Sequence, residues 1–476
     1  MSGFYTAADN FALLPAILLA LFGCASLFFV GRGGLLILLA GEGFTGFMLW
    51  RQWRFVRSSE AALEAFQGAM IIDGMALYFN ALFVAAAVLA ALISYRYLEI
   101  AREHENEYYG LMLLAQAGMF FLATGTELVT LFIGLETMAV SFYVLVGFLR
   151  SDRRSNEAAM KYLLLGAFST GFLLYGFSLL YGLTGSTRLG GIAEGLRAVD
   201  PMDPLFVLAL VTTGAGLAFK IGAAPFHMWT PDAYEGAPTP VTAYLSIASK
   251  AAAFALVIRL FQGPLAGARE VWQPMAVTLA IASLTIGNLA AISQSNVKRM
   301  LAYSSVGHAG YVLLGLAAGN DAGYRGVLVY LAIYTFMNLG AFLVLVALRR
   351  EGIAGEHLDD LNGLVHRAPL YAVLMAVFLL SLAGIPPTAG FIAKYYIFAA
   401  LVEARQYALA VIGALYVVVA LYYYFRIVRA MFLGDLTQDQ PLAESWGVRV
   451  SLAAAALGTI ALGLYPEPLL RWVNAC

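Results

Sequence analysis

Apolar residues fall along this chain in stretches long enough to cross a hydrocarbon core about 30 Å thick, which takes roughly twenty residues of helix. Such windows lie near 12–31, 34–50, 75–95, 110–125, 128–149, 158–183, 204–226, 238–262, 272–294, 301–318, 324–348, 369–401, 407–433 and 448–465. The pattern predicts an all-α membrane protein of about fourteen transmembrane helices. The windows 110–125 and 301–318 are short for a full crossing, so the number turns on them. Connections are brief. The longest polar ones cover 51–73, 96–109, 184–204 and 350–367, and none is large enough to fold as a separate domain.

Composition agrees, since 61% of the 476 residues are hydrophobic and 12% charged, against roughly 45–50% and about 25% in soluble domains. A water-soluble fold is excluded. The 28 basic and 29 acidic residues leave a net charge of −1, with neither a basic patch nor an acidic tail, so a nucleic-acid partner has no support. Cys24 and Cys476 form no CxxC pair and no metal-spaced cluster. The first basic residue, Arg32, follows the first apolar run, so that run lacks the basic start of a signal peptide and is expected to be a retained helix. Counting Lys and Arg in alternate loops, with the N-terminus outside, puts fourteen on the inner side, Arg32 and Arg350 among them, and nine on the outer side. That bias favours both termini on the outer face, although Arg51, Arg54 and Arg57 run against it.

The lysines carry the chemistry. Of the basic residues 23 are Arg and five are Lys, and four of the five, Lys161, Lys220, Lys250 and Lys394, stand within hydrophobic windows while Arg serves nearly every loop. Arg keeps its proton in any protein environment, whereas a buried lysine can fall from about 10.4 to roughly 5–6 and so exchange a proton near neutral pH. A charge at the bilayer centre costs at least about 2.5 kcal/mol, so such lysines are expected to be paired, solvated or neutral. Glu136, midway through its window in GLETMAVSFYVLVGF, is the obvious acidic partner. Glu42, between glycines in LLAGEGFTG, is a second carboxylate within a window; close helix packing and contact with another subunit both fit it. Lys161 follows the polar run SDRRSNEAAM, and snorkelling to the surface explains it as well as a place in the relay does. Lys220, Lys250 and Lys394 lie deeper, where an inert lysine gains nothing over leucine.

Two of these lysines sit beside helix breakers. Lys220 precedes Gly222 and Pro225, and Lys394 follows Gly384, Pro386, Pro387 and Gly390. Interrupted helices in corresponding halves point to transporter sites. If 110–262 and 272–433 are two five-helix units, their odd helix number sets them in opposite orientations, and each lysine lies in the fourth helix of its unit. The expected layout is then 1–109 as N-terminal helices, 110–262 and 272–433 as two inverted half-channel units, each with a broken helix, and 434–476 as a C-terminal helix. Between the lysines, Ser304, His308 and Tyr311 recur at helical spacing in RMLAYSSVGHAGYVLLG. A neutral histidine can pass a proton between its two nitrogens, while helix packing by hydrogen bonds explains the same residues equally well. His227, just after Pro225, is a further candidate, and Lys298-Arg299 reads as an inside-facing basic anchor.

The run AFKIGAAPFHMWTPDAYEGAPTPVTAYLSIASK, with GLETMAVSFYVLVGF, SNEAAMKYLLLGAFSTGFLLYG, NVKRMLAYSSVGHAGYVLLG and LAGIPPTAGFIAKYYIF, resembles the antiporter-like subunits of respiratory complex I, bacterial NADH:quinone oxidoreductase, over most of 110–433. TPDAYEGAPTPVTA is more similar to the N subunit than to L or M. The absence of L's long lateral C-terminal helix, and Lys394 where M resembles the family with Glu, favour N as well. The resemblance implies proton translocation by Glu136 and Lys220 as the pair of a first half-channel, with Lys161 nearby. Lys250 would be the central connection and Lys394 the terminal residue of a second half-channel, linked by His308 and water. It further implies no cofactor in this chain, with NADH, FMN, iron-sulfur clusters and quinone in partner subunits. The implied partners are other membrane subunits, related antiporter-like ones included, in the bacterial inner (plasma) membrane. The competing reading is a subunit of a multisubunit sodium/proton antiporter, which shares the helices and lysines. A passive scaffold would need no internal titratable chain.

Overall fold

The computed structural model describes residues 6–29, 33–59, 61–349, 355–436, 442 and 445–476. Arg32 and Arg350 lie outside the described residues. The chain is helical nearly throughout: α1 (Ala7–Phe28), α2 (Gly34–Ser59), α3 (Gly74–Ala101), α4 (Glu105–Thr124), α5 (Leu128–Val146), α6 (Arg153–Thr184), α7 (Leu189–Leu196), α8 (Pro204–Ile221), α9 (Trp229–Gly236) and α10 (Thr239–Tyr244). There follow α11 (Lys250–Gln262), α12 (Arg269–Ile292), α13 (Val297–Ala318), α14 (Asp321–Leu348), α15 (Leu364–Arg367), α16 (Pro369–Ala383), α17 (Ala389–Glu403), α18 (Tyr407–Leu433), α19 (Trp446–Leu464) and α20 (Glu467–Asn474). The polar stretch 51–73 holds a feature the hydropathy pattern does not show, an antiparallel hairpin of β1 (Leu63–Ala65) and β2 (Met70–Ile72). Its turn is tied to the first helix, where Asp9 accepts from the Phe66 amide.

Among the described residues, twelve helices are long and apolar enough to cross a bilayer, and the protein is a multi-pass membrane protein. Two of the fourteen windows fall short of that criterion for separate reasons. Window 110–125 lies in α4, where Glu107 and Gln116 dilute the hydropathy. Window 369–401 is divided into α16 and α17, each of 15 residues. Window 301–318 is instead a full crossing, because α13 begins at Val297 under the Asn296 side chain, which accepts from the Arg299 amide.

Hydropathy does not reveal which helices face lipid. Helices α10–α11, α13 and α14 form the centre and are buried almost all round, whereas α6 and α18 bury only a narrow stripe and expose apolar residues such as Phe168 and Val418. The polar residues of the central helices are therefore shielded from lipid by the surrounding helices. Small residues permit the closest crossings. At Gly118 of α4 and Gly134 of α5, a methyl on either would stand 2.5–2.8 Å from the other helix's backbone.

The two breaks are built alike. α8 ends at Gly222 (φ +70°) and α16 at Gly384 (φ +86°), the left-handed position that favours glycine, and in each case the last amides turn back onto the final turn's carbonyls. Pro225 after the first break, and Pro386 and Pro387 after the second, forbid continuation of the helix. Each left-handed glycine also borders a lysine. A methyl on Gly222 would come 3.9 Å from Lys250 Nζ, and one on Gly384 would come 2.7 Å from Lys394 Cδ. Gly384→Ala is accordingly expected to destabilise by about 1–3 kcal/mol through its φ alone, and to displace Lys394 as well. A thermal melt of the purified assembly and a proton-uptake assay would measure the two effects; unchanged values in both would mean that the break does not depend on this glycine.

Candidate functional site

The first cluster forms where α5, α6 and α8 meet. Lys220 Nζ lies 3.7 Å from Glu136 Oε1, with Lys220 buried and Glu136 about one-third exposed. Thr170 of α6, a residue that hydropathy and charge do not single out, donates to the same oxygen, Glu136 Oε1, at 2.8 Å and helps to hold the carboxylate. Lys220 occupies the last turn of α8, where unpaired carbonyls and the negative end of the helix dipole favour a cation.

Lys161 does not join this pair. It is about half exposed, and its ammonium bonds Glu157 and Asp232, each at 2.9 Å. Asp232 is in turn bound by Arg299 at 2.7 Å, and Arg299 also reaches Glu235 at 2.9 Å. These charges line a cleft of about 280 Å³ with Arg154 and Glu157. The snorkelling reading of Lys161 is thus the one its position fits. Lys298, read as a surface anchor, is instead fully buried: it pairs with Glu356 at 2.9 Å and donates to the carbonyls of Glu235 and Ala237. With every donor of Lys298 directed at a partner, the residue clamps α13 to the end of α9.

The centre of the molecule holds a line of polar groups in three hydrogen-bonded sets: Lys250 with Ser305, His308 with Tyr330, Tyr424 and Ser304, and Lys394 with the end of α16. Lys250 follows a π-helical turn, Leu245–Ser249, in a window that reads as one unbroken helix. The inserted residue turns Lys250 toward α13, where Nζ donates to both the carbonyl and the hydroxyl of Ser305 at 2.5 Å. One turn further along α13, His308 contacts the Tyr330 hydroxyl through Nδ1 at 2.6 Å and the Tyr424 hydroxyl through Nε2 at 3.1 Å. Tyr424 also meets Ser304. His308 is within electrostatic reach of both Lys250 and Lys394. At the far end Lys394 donates to the carbonyls of Leu382 at 3.0 Å and Ala383 at 2.7 Å, the acceptors left free by the break after α16. Its ammonium also lies 4.7 Å from the centre of the Tyr311 ring.

Sequence reasoning thus selected Lys250, His308 and Lys394 but missed Ser305, Tyr330 and Tyr424. Tyr330 and Tyr334, four apart on α14, and the run Tyr422-Tyr423-Tyr424 were the available signal. His227 is buried beside Tyr303, its Nδ1 without a hydrogen bond, and it makes no contact with the line. Among the described residues no group of His, Cys, Asp and Glu could hold a metal ion.

The family model for the transmembrane region of NADH:quinone oxidoreductase and Mrp antiporters matches residues 125–420, which hold both breaks and all the lysines. The chain belongs to this family. Within it, NADH-quinone oxidoreductase subunit N 2 of Solibacter usitatus is 58% identical over 98% of this chain and 97% of its own length. The protein of the same name from Rhizobium meliloti is 44% identical over 93% and 94%. A chain of respiratory complex I from Thermus thermophilus superposes with a TM-score of 0.81 at 33% identity, covering 97% of this chain and 99% of that one. A chain of the Mrp complex from Dietzia sp. gives 0.85 over 99% and 97%, but at 22% identity it shares the fold alone.

Proposed function

We propose that this family member is the N-type, proton-translocating membrane subunit of a bacterial NADH:quinone oxidoreductase. The observation that carries the reading is the polar line from Lys250 through Ser305, His308 and the tyrosines toward Lys394, in helices otherwise buried among aliphatic side chains. In this reading 110–262 and 272–433 are the two inverted half-channel units. Lys220, drawn toward Glu136 or released from it, passes its proton across the first break to Lys250. The hydroxyls of Ser305, Tyr424 and Tyr330 can each accept and donate, and a neutral His308 accepts on one nitrogen and donates from the other, so with internal water joining Ser305 to His308 and the tyrosines to Lys394 a proton would move along them. Lys394 then takes it up against the carbonyls of α16 and releases it.

The chain contributes the pathway, and redox energy comes from partners. NADH, FMN, iron-sulfur clusters and quinone belong to other subunits, and related antiporter-like subunits adjoin this one in the inner membrane, with both termini periplasmic. Curated relatives sharing 41–58% of its residues bear the subunit N name, which supports this over the sodium/proton antiporter. The test is NADH-driven acidification of vesicles containing the assembled complex in sodium-free buffer. Full pumping there is expected, and Lys250→Met should reduce it about tenfold or more, the effect of roughly 1.4 kcal/mol on the limiting step. A strict sodium requirement would return the antiporter reading.

A further inference from the structure

A second carboxyl group lies deep in the protein, away from the lysine line. Glu42 of α2 is 2% exposed, and its one recorded hydrogen bond is from Gln116 Nε2 of α4 to Oε2, at 3.1 Å. Its other oxygen, Oε1, is buried without a partner, and so is Oε1 of that same Gln116. Two acceptors of adjoining groups thus stand without a donor. A neutral carboxylic acid supplies the missing one, because its hydroxyl donates to the amide oxygen while its carbonyl accepts from the amide nitrogen, and the two groups then satisfy each other.

The surroundings contain nothing that would hold a negative charge. No charged side chain among the described residues acts on Glu42. On the helices packed against α2, Asp9 of α1 accepts from Thr6 and Phe66, Arg96 and Glu99 of α3 pair with each other, and Glu107 of α4 pairs with Arg150. Tyr244, the last residue before the π-helical turn that carries Lys250, is near enough to interact with Glu42 electrostatically, and its hydroxyl is buried without a hydrogen bond. Tyr108 is within electrostatic reach of Tyr244 and is itself bonded to Ser94. The buried Thr45 hydroxyl, one turn along α2 from Glu42, is also unpartnered. Close packing alone does not account for the carboxyl. Gly41 gives the close approach of α2 to Phe22 of α1, while Gly43 faces open space, and a glutamine at 42 would fill the same volume.

We propose that Glu42 and Gln116 form a proton-binding site off the lysine line, with the proton on Glu42 and the Tyr244 hydroxyl as its link to the helix of Lys250. The exchange part of this proposal rests on the proton-translocating reading above; the protonated acid does not. Infrared difference spectra of the assembled complex in vesicles separate the parts. Wild type minus Glu42→Gln at neutral pH should show the C=O stretch of a protonated carboxyl, moved to higher frequency in Gln116→Leu, which removes its hydrogen bond. Glu42→Asp, a second variant, should retain the band at a shifted position. A difference spectrum showing only carboxylate bands would overturn the site. During NADH turnover the band should change in wild type and stay fixed in Tyr244→Phe. A band that ignores turnover in wild type, or responds equally in Tyr244→Phe, would overturn the link. Vesicle acidification recorded on the same wild-type sample shows separately whether the chain's assembly pumps.

Discussion

Lys394→Arg in the assembled complex should pump about tenfold less than wild type or worse, and should be no better than Lys394→Ala. The site itself makes this the sharper comparison. The carbonyls of Leu382 and Ala383 and the face of Tyr311 are good partners for any cation, and a guanidinium satisfies carbonyls and stacks on aromatic rings at least as well as an ammonium does. A residue that only neutralised the end of α16 would therefore tolerate arginine and fail as alanine. A residue that must give its proton away fails as both, because arginine keeps its proton throughout. Gly384 lies against the lysine stem, so the arginine variant should be checked for assembly before protons per NADH are counted. Wild-type pumping by a fully assembled Lys394→Arg complex would reduce Lys394 to a fixed counter-charge.

How legible each part was in the sequence follows from what hydropathy can encode. A lysine within an apolar window announces itself, because the cost of a charge in the bilayer leaves so few of them, and Lys220, Lys250 and Lys394 were found that way. Depth relative to the helix end is not encoded. Lys161 stands eight residues into the 32-residue α6 and still reaches the surface charges of Asp232 and Glu157, while Lys298, beside a second basic residue and reading as surface, is fully buried against Glu356. The hydroxyls of the line were hidden for another reason. Serine and tyrosine occur in apolar helices for packing as often as for transfer, and only the fold brings Tyr424 of α18 and Tyr330 of α14 to one imidazole on α13. The π-helical turn before Lys250 adds one residue to a regular pattern and leaves no mark in composition. The two breaks were visible because glycine followed by proline has few other uses within a membrane helix.

Lys220→Ala and Glu136→Ala should each reduce pumping sharply while the complex still assembles, and Glu136→Gln should behave like Glu136→Ala. At 3.7 Å and an effective dielectric near 20, opposite charges attract by about 4 kcal/mol. Glu136 is partly exposed, so the working value lies below that. Moving one charge through 100 mV takes about 2.3 kcal/mol, which makes the closing or opening of this one pair comparable with the step it must drive. Glutamine at 136 keeps the shape and the hydrogen bond to Thr170 but removes the charge, so it tests electrostatics apart from packing. Thr170→Val tests positioning, since the carboxylate stays charged and loses only the hydroxyl that holds it; it should slow pumping less than Glu136→Gln does. Protons translocated per NADH, measured in vesicles for the four variants, give the ordering. If Glu136→Gln pumps as wild type while Lys220→Ala does not, the lysine carries protons without the glutamate's charge, and the pair is not the switch.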